Sequence, residues 1–252
     1  MNTEESTTHR IHLLQYGTGV APRWLYFHLD ETPGGVPVGM YCWLIEGPSG
    51  WVLVDVGATE EDTRARYGDR YSFADWLDPV DLVAEQVSPE DVGTVVFTHA
   101  HWDHLSPCAD RYPSARFVVQ RREIEARVNP PHPTFRELCF ADYIDGLGER
   151  FGSRLELIDG DCEIVPGIRT IVVGGHTLGS QAVLVETARG TACIAGDLVP
   201  SYENLETDHA TALHEDLLAC YAGMARIREH SDFVIPGHDR RVLERHPHRV
   251  VG

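Results

Sequence analysis

The feature that most constrains this chain is residues 98–104, which follow a short run of β-branched and aromatic residues of the kind that forms a buried strand. In extended backbone, side chains two residues apart point the same way, so His99 and His101 can face one point. Asp103 and His104 then fall in the turn and can face a neighbouring point. Four ligand-type side chains within six residues indicate a metal site rather than a solvated polar strand end.

Three later parts of the chain repeat one pattern: an apolar run, a glycine that lets the backbone turn sharply, and then a ligand-type residue. These ligand-type residues are His176, Asp197 and His238. Because the candidate ligands extend from His99 to His238, a domain boundary between them would destroy the site. We therefore predict a single domain over residues 11–252, preceded by a disordered tail over residues 1–10.

The order HxHxDH, His, Asp, His resembles the metallo-β-lactamase superfamily of dinuclear metallohydrolases, and the resemblance extends over roughly residues 36–239. It implies the αββα fold of that superfamily, an α/β sandwich of two mixed β-sheets flanked by helices. The predicted strands fall in two groups with helices interspersed, which agrees with this architecture.

The resemblance also implies a ligand set. It assigns the first metal to His99, His101 and His176, the second metal to Asp103, His104 and His238, and a bridging position to Asp197. Imidazole nitrogen and carboxylate oxygen are good zinc ligands, so two Zn²⁺ ions are expected, although Fe, Mn or Co would also suit this set. A hydroxide shared by the two metals is then the nucleophile.

Two aspartates have further roles in this interpretation. Asp103 is expected to pass a proton to the departing alkoxide. In the superfamily a similar Asp-x-Gly packs behind the metals and orients a ligand, and the resemblance carries that role to Asp55. The alternative is that Asp55 only caps a turn at the end of its strand.

Four segments resemble the N-acyl homoserine lactonase branch and the related 4-pyridoxolactonases: residues 40–46, 99–104, 175–181 and 203–206. They predict a quorum-quenching lactonase that acts on a small neutral lactone or ester. Those enzymes have a tyrosine three residues after the bridging aspartate, where this chain has Pro200. Tyr202 is the nearest tyrosine and is the candidate for that catalytic role.

Other functions remain open as alternatives. Residues 196–200 are also similar to arylesterase and organophosphate-hydrolase relatives, and thioester hydrolysis suits the same fold. An iron-dependent oxidoreductase is disfavoured, because the flavodiiron branch has a carboxylate where this chain has His101. A non-catalytic binding module is disfavoured by the complete ligand set.

Aromatic side chains in three segments are the candidates for binding the substrate. They are Trp24, Tyr26 and Phe27 in a long connection, Phe73 and Trp76 before a helix, and Phe140 and Tyr143 in a short helical cap. Long loops with their own aromatics often bind ligands, but the alternative is that these rings merely cover the sheet. No arginine cluster adjoins the ligand motifs in sequence, which favours a neutral substrate.

The composition excludes several partners. The net charge of −18 disfavours nucleic acid and anionic membranes. Residues 1–10 lack an apolar signal core, and no apolar run approaches the roughly 18 residues of a membrane span, which predicts a soluble cytoplasmic protein. The six cysteines form no C-x-x-C pair, so neither a zinc ribbon nor a redox dithiol is indicated. We expect a monomer or a homodimer.

Periodicity and turn residues predict the remaining elements. The first part of the chain has a strand at 11–15, a connection at 17–39, a hairpin of 38–46 and 51–56, a charged loop at 58–71 and a helix at 79–86. A strand at 116–119, a helix at 121–128 and the cap at 134–145 follow. Second-sheet strands are predicted at 155–158, 163–165, 169–173, 181–186 and 191–195, then a helix at 210–229 with Leu213, Leu217, Tyr221 and Met224 on its apolar face, and a last strand at 232–235.

Overall fold

Two β-sheets with helices on their outer faces form the centre of the computed structural model, which describes residues 8–70 and 73–252. The strands are β1 (Arg10–Pro22), β2 (Gly35–Gly47), β3 (Gly50–Val54), β4 (Val92–Val96), β5 (Arg116–Gln120), β6 (Leu155–Ile158), β7 (Cys162–Val165), β8 (Ile168–Val172), β9 (Gln181–Thr187), β10 (Gly190–Ile194), β11 (Phe233–Ile235) and β12 (Val250–Val251). The helices are α1 (Arg23–Tyr26), α2 (Glu60–Tyr67), α3 (Pro79–Ala84), α4 (Arg121–Val128), α5 (Ala141–Asp145), α6 (Leu147–Phe151), α7 (Tyr202–Glu206), α8 (Leu217–His230) and α9 (Arg241–Arg245).

Both sheets are mixed. The larger sheet has seven strands in the order β12-β1-β2-β3-β4-β5-β6, and the smaller has five in the order β11-β10-β9-β8-β7. In the larger sheet β12 and β1 to β3 pair antiparallel, whereas β3 to β6 pair parallel. In the smaller sheet only the β10–β11 pair is parallel. The predicted fold class, two mixed sheets flanked by helices, is confirmed.

Strand β2 shows how the layers pack. Its residues 40–45 are all buried, and successive side chains face opposite sides of the sheet. Tyr41 and Trp43 join the apolar layer between the two sheets together with Val183 of β9. Leu44 instead faces the layer beneath the helices that cover the larger sheet. A strand buried on both faces has no solvent side, which explains why this run is continuously apolar.

Helix α8 covers the outer face of the smaller sheet, but it is shorter than the predicted helix over residues 210–229. It begins at Leu217, where the carboxylate of Asp216 accepts a hydrogen bond from the backbone N–H of Ala219 at 3.0 Å. Leu213 lies in the preceding loop, and Tyr221 is exposed, so neither belongs to the buried face of the helix.

The hairpin of β2 and β3 and the helices α3 and α4 confirm their predictions, but the connection predicted over residues 17–39 is strand at both of its ends. β1 continues to Pro22 and β2 starts at Gly35, and the two strands pair along their whole length with one bulge. The glycines that suggested a loop permit the bulge and close packing. A Cβ on Gly19 would lie 2.6 Å from the ring of Phe73.

The charged segment predicted as a loop over residues 58–71 contains helix α2. Thr59 caps this helix, because its hydroxyl oxygen accepts a hydrogen bond from the backbone N–H of Asp62 at 3.0 Å, and the first turn is acidic. The segment has no apolar stripe, so periodicity did not reveal it. Residue 71 lies outside the described residues.

Two further predictions need correction. The strand at residues 155–158 was predicted in the second sheet, but β6 pairs parallel with β5 at the edge of the larger sheet. Of the predicted tail, residues 1–7 lie outside the described residues, whereas His9 is buried and donates from Nε2 to the carbonyl of Pro166 at 3.0 Å. The single domain over residues 11–252 stays a prediction. No helix in the described part of the chain is long and apolar enough to cross a membrane.

Candidate metal centre

The candidate ligands lie beyond the carboxyl ends of strands from both sheets. The cluster at residues 99–104 follows β4, while the later ligands follow β8, β10 and β11. They form two groups, His99, His101, His176 and Asp197 in the first and Asp103, His104, Asp197 and His238 in the second. Within each group, one ligand atom per residue lies within 4.8 Å of all the others. The structure thus brings together all seven residues that the sequence singled out as ligands.

The first group is a convergence of three imidazoles. Nε2 of His176 lies 3.2 Å from Nε2 of His99 and 3.0 Å from Nδ1 of His101. The carboxylate oxygen Oδ2 of Asp197 is 3.6 Å from the same His176 nitrogen. In a tetrahedral zinc site with metal–nitrogen bonds of about 2.0–2.1 Å, neighbouring ligand atoms are about 3.3–3.4 Å apart. The observed separations are close to that spacing.

The second group is built around the other oxygen of the shared carboxylate. Oδ1 of Asp197 lies 3.1 Å from Nε2 of His104 and 3.0 Å from Nε2 of His238. Oδ2 of Asp103 is 3.4 Å from the His238 nitrogen and 3.6 Å from the His104 nitrogen. Because its two oxygens face different groups, Asp197 has the orientation of a bridging ligand.

Four histidines of the centre, His99, His104, His176 and His238, have fixed orientations, because their outer nitrogens are hydrogen-bonded. Nδ1–H of His176 donates to the carbonyl of Leu213 at 2.6 Å, and Nδ1–H of His238 donates to the carbonyl of Gly39 at 3.0 Å. Metal-binding histidines need such acceptors, which leave the inner nitrogen with a free lone pair.

Asp55 provides the acceptors behind two more histidines. Its carboxylate accepts from Nδ1–H of His104 at 2.7 Å and from the backbone N–H and hydroxyl of Thr98 at 2.7 and 2.8 Å. Since the Thr98 hydroxyl hydrogen is given to Asp55, its oxygen accepts from Nδ1–H of His99 at 3.1 Å. Asp55 is fully buried at a positive φ of 58°, an unusual conformation that places its carboxylate beneath the cluster.

These hydrogen bonds provide a test of whether cations fit the centre. With their outer nitrogens acting as donors, His99 and His176 present lone pairs to each other across 3.2 Å. Nε2 of His104 and Oδ1 of Asp197 are buried and 3.1 Å apart, yet neither makes a hydrogen bond within the described chain. Buried polar atoms without partners are costly, and a cation placed among them would satisfy both groups. The donor set therefore fits two metal ions.

The charges of the two groups differ. Burial holds the pKa of His99 and His101 well below the usual range, so both are neutral, the form that binds metals. Burial also acts to lower the pKa of His104, but the carboxylates of Asp103 and Asp197 outweigh it and raise this pKa well above the usual range. The carboxylates of the second group therefore favour positive charge at this position, which a bound cation would supply.

Glycine is required where the last ligand strand approaches the shared carboxylate. A Cβ on Gly237 would lie 2.7 Å from the carbonyl oxygen of Gly196 and 2.8 Å from Oδ1 of Asp197. Gly196 itself adopts a positive φ of 53°, which suits glycine. The glycine before His238 therefore serves close packing, and the glycine before Asp197 serves the turn.

The two groups lie at the floor of a cavity of about 530 Å³. Of the aromatic residues predicted to bind the substrate, Trp24, Tyr26 and Phe73 line this cavity. Its apolar wall also contains residues that were not predicted to bind the substrate, namely Met40, Trp102, Leu138 and Leu213. Three of them lie in segments that the sequence had marked: Met40 in the segment at 40–46, Trp102 in the motif at 99–104 and Leu138 in the predicted cap at 134–145.

Four of the predicted pocket residues lie elsewhere. Phe27 is fully buried in a small cluster beneath the Arg23 guanidinium. Trp76 packs behind Phe73 and donates from Nε1 to the carbonyl of Ala58 at 3.1 Å. The other two, Phe140 and Tyr143, are buried in the layer beneath the helices of the larger sheet. Their rings stabilise the core instead of facing a substrate.

The structure also contradicts the predicted catalytic role of Tyr202. Ser201 and Asn204 form a capping box that starts α7 at Tyr202, and the Tyr202 ring packs in the layer between the two sheets. The Arg245 guanidinium lies 3.6 Å from the centre of that ring, and the hydroxyl is buried in the layer between the sheets. Tyr202 does not line the cavity above the metal groups.

Tyr26 is the tyrosine that shares the cavity with the ligands. Burial raises the pKa of its hydroxyl well above the usual range, and the negative charges of Asp197 and Asp103 add to this effect. The phenol therefore stays protonated at neutral pH and can act as a hydrogen-bond donor near the two groups.

Comparison with known proteins identifies a family. The profile of the metallo-beta-lactamase superfamily matches residues 35–238. The N-acyl homoserine lactonase of Bacillus cereus is 26% identical over 224 residues, which cover 82% of this chain and 84% of that protein. Metallo-beta-lactamase domain-containing protein 1 of Mus musculus is 31% identical over 167 residues, covering 62% of this chain and 52% of that protein.

Solved structures agree at the level of the fold. A crystal structure of a quorum-quenching N-acyl homoserine lactone lactonase has a TM-score of 0.76 and 22% identity, covering 94% of this chain and 95% of that chain. The dizinc quorum-quenching lactonase AidC has a TM-score of 0.69 and 12% identity, covering 92% and 88%. At these identities the similarity shows a shared fold alone.

Proposed function

This chain belongs to the metallo-β-lactamase superfamily, and we propose that it is a dinuclear zinc hydrolase that opens N-acyl homoserine lactones or closely related neutral esters. The observation that supports this most is the pair of ligand groups that share Asp197 at the floor of a cavity with apolar walls. The lactonase relatives support the substrate class. Such an activity would be quorum quenching. A cytoplasmic location and a monomeric or homodimeric state stay predictions.

The ligand groups define which residues would hold each ion. His99, His101 and His176 would hold the first, Asp103, His104 and His238 the second, and Asp197 both. Two zinc ions would supply a water activated at neutral pH and would polarise the carbonyl of the ester. The carboxylate of Asp197 between them offsets the repulsion of the two cations.

The cavity favours a neutral substrate with an apolar part. Its volume of about 530 Å³ is that of a small-molecule site, and Trp24, Phe73 and Met40 contribute apolar surface to its wall. Among the described lining residues outside the ligand groups, Arg70 and Glu137 carry opposite charges, so this wall has no net charge. Each methylene buried there should contribute about 0.8 kcal/mol at most.

Two side chains are proposed to act on the substrate directly. Tyr26 lines the cavity, and its protonated hydroxyl would donate a hydrogen bond to a carbonyl oxygen bound above the metal groups. Asp103 lines the same cavity, and burial raises the pKa of its carboxyl, which favours passing a proton to the departing alkoxide.

Purified protein of known metal content should be assayed against four substrate classes: N-acyl homoserine lactones of increasing acyl length, aryl esters, thioesters and phosphotriesters. We expect lactones to have the highest kcat/KM, rising with acyl length until the wall is covered. The ring-opened product is heavier than the lactone by one water, which mass spectrometry detects.

Other outcomes would change the proposal in defined ways. A preference for aryl esters or phosphotriesters would reject the lactonase and keep the hydrolase. Bound iron together with oxygen consumption would reject hydrolysis in favour of an oxidoreductase. Retention of Fe, Mn or Co with hydrolytic activity would change only the metal.

A further inference from the structure

A buried network of charges lies directly behind the first ligand group. The side chains of Glu123 and Arg127 on α4 are 0% and 1% exposed and form an ion pair, with Oε1 of Glu123 accepting from Nε and Nη2 of Arg127 at 3.2 and 3.1 Å. Removing two charges from water is unfavourable unless further hydrogen bonds satisfy them. The partners of this pair are therefore informative.

Glu123 binds two loops of the metal centre. Its Oε1 also accepts from the backbone N–H of Ala100 at 3.0 Å, and its Oε2 accepts from the backbone N–H of Gly179 at 3.0 Å. Ala100 stands between His99 and His101 in the chain. A Cβ on Gly179 would lie 2.3 Å from the backbone nitrogen of Glu123, so α4 touches that loop directly.

Arg127 extends the network to a second carboxylate. Its Nη1 donates to Oε1 of Glu215 at 2.6 Å and to the carbonyl of Phe135 at 2.5 Å. Oε2 of Glu215 accepts from the backbone N–H of Leu178 at 2.6 Å. The loop after His176 is thus held by both carboxylates, one at Leu178 and one at Gly179.

The network also supports the orientation of His176. The backbone N–H of Glu215 donates to the carbonyl of Gly175 at 2.8 Å, and Leu213, two residues earlier, accepts from Nδ1–H of His176. Within the described chain, none of the three charged side chains hydrogen-bonds His104 or His238, which instead donate to Asp55 and Gly39.

We propose that Glu123, Arg127 and Glu215 are positioning residues for the first metal site: they set the separation between the loop of His99 and His101 and the loop of His176. This inference rests on the proposed dinuclear centre. This network then supports the first site alone, whereas Asp55 supports His104 in the second site and, through the Thr98 hydroxyl, His99 in the first. Loss of the network should weaken the first site selectively, whereas a role in folding alone would affect both sites equally.

The test compares Glu123→Gln with Glu156→Gln, which removes a carboxylate from a partly exposed ion pair with Arg116 on β5, away from the ligand loops. Affinity at each site is measured by competition with a chelator. The ¹¹³Cd spectrum of cadmium-loaded protein identifies the emptied site, because a site of three imidazoles and one carboxylate differs in chemical shift from one of two imidazoles and two carboxylates.

We expect Glu123→Gln to weaken the first site about 10- to 100-fold with the second unchanged, as for other groups that orient metal ligands. Its kcat should recover when zinc is added in excess, and Glu156→Gln should behave as wild type. If Glu123→Gln does not fold, Glu215→Gln, whose side chain is 14% exposed, should show a smaller effect on the same site.

Two results would overturn the inference: unchanged affinity at the first site, or equal weakening of both sites. Wild-type protein that binds fewer than two ions would instead reject the proposed dinuclear centre. The two failures are therefore distinguished by the wild-type measurement alone.

Discussion

The floor and the wall of the cavity are built in opposite ways. At the floor, side chains such as His104 and His176 are buried, and a hydrogen bond to the outer ring nitrogen holds each of them from behind. At the wall, apolar groups come from separate segments, and Trp24 and Val20 remain 63% and 72% exposed. A buried side chain that is held by a hydrogen bond has one orientation, whereas an exposed ring can adopt several rotamers. The floor is therefore suited to define the reaction and the wall to define the substrate.

The largest effect is expected at the residue shared by both halves of the floor. Asp197→Asn removes a negative charge and turns one metal-facing oxygen into an amide donor, so both sites should weaken. We expect metal content below two per chain and a loss of kcat/KM on the order of a thousandfold or more. Elemental analysis and lactone assays measure these effects, with circular dichroism to confirm folding. Full activity at a metal-to-protein ratio of one would contradict the two-metal proposal.

A smaller effect, dependent on the substrate, is expected at Asp103, which belongs to both the floor and the cavity lining. If its carboxyl passes a proton to the leaving alkoxide, Asp103→Asn should lose about a hundredfold in kcat on esters with poor leaving groups. Activated aryl esters should lose much less. The series is to be measured on protein of known metal content, and equal losses across it with metal retained would remove the proton-transfer role.

Two tyrosines test whether a hydroxyl group in the cavity contributes to the reaction. Tyr26→Phe removes the donor in the cavity and should lower kcat/KM about tenfold, the equivalent of one hydrogen bond of about 1.4 kcal/mol. Tyr202→Phe is the matched control, since that hydroxyl is buried away from the cavity and should leave the kinetics unchanged. A loss in Tyr202→Phe with none in Tyr26→Phe would reverse the assignment.

The smallest effect is expected at the wall. Trp24→Ala should reduce the preference for long over short acyl chains about 3- to 10-fold, because one or two methylenes lose their apolar contact. Stability should barely change, since Trp24 is largely exposed. Phe140→Ala is the contrasting variant: it should lower the free energy of unfolding by about 3–5 kcal/mol and leave the acyl preference unchanged. A flat acyl profile in the wild type would count against an acyl-binding wall.

The residues that converge in the two groups could be predicted from the sequence because each of them carries a local signal. A strand end, a glycine and a histidine or aspartate adjoin each other in the chain, as at Gly196 and Asp197. Strand β2 was predictable for a similar reason, since burial on both faces requires a continuous apolar run.

The supports of the centre could not be predicted, because they depend on pairs distant in the chain. Glu123 hydrogen-bonds Ala100 and Gly179, which are 23 and 56 residues away. The pairing of β6 with the larger sheet is of the same kind, since an apolar strand can pair with several neighbours and only packing selects one. Periodicity carries no information about such choices.

The wall shows most directly what the sequence determined and what only tertiary structure decided. Tyr26 and Phe27 are adjacent aromatics, and the sequence supports the same role for both. In the structure Tyr26 ends α1 and lines the cavity, whereas Phe27 is extended and fully buried in the cluster beneath Arg23. Composition determines that such rings will be removed from water, but the backbone path after α1 decides which one lies wholly in the core and which one also lines the cavity.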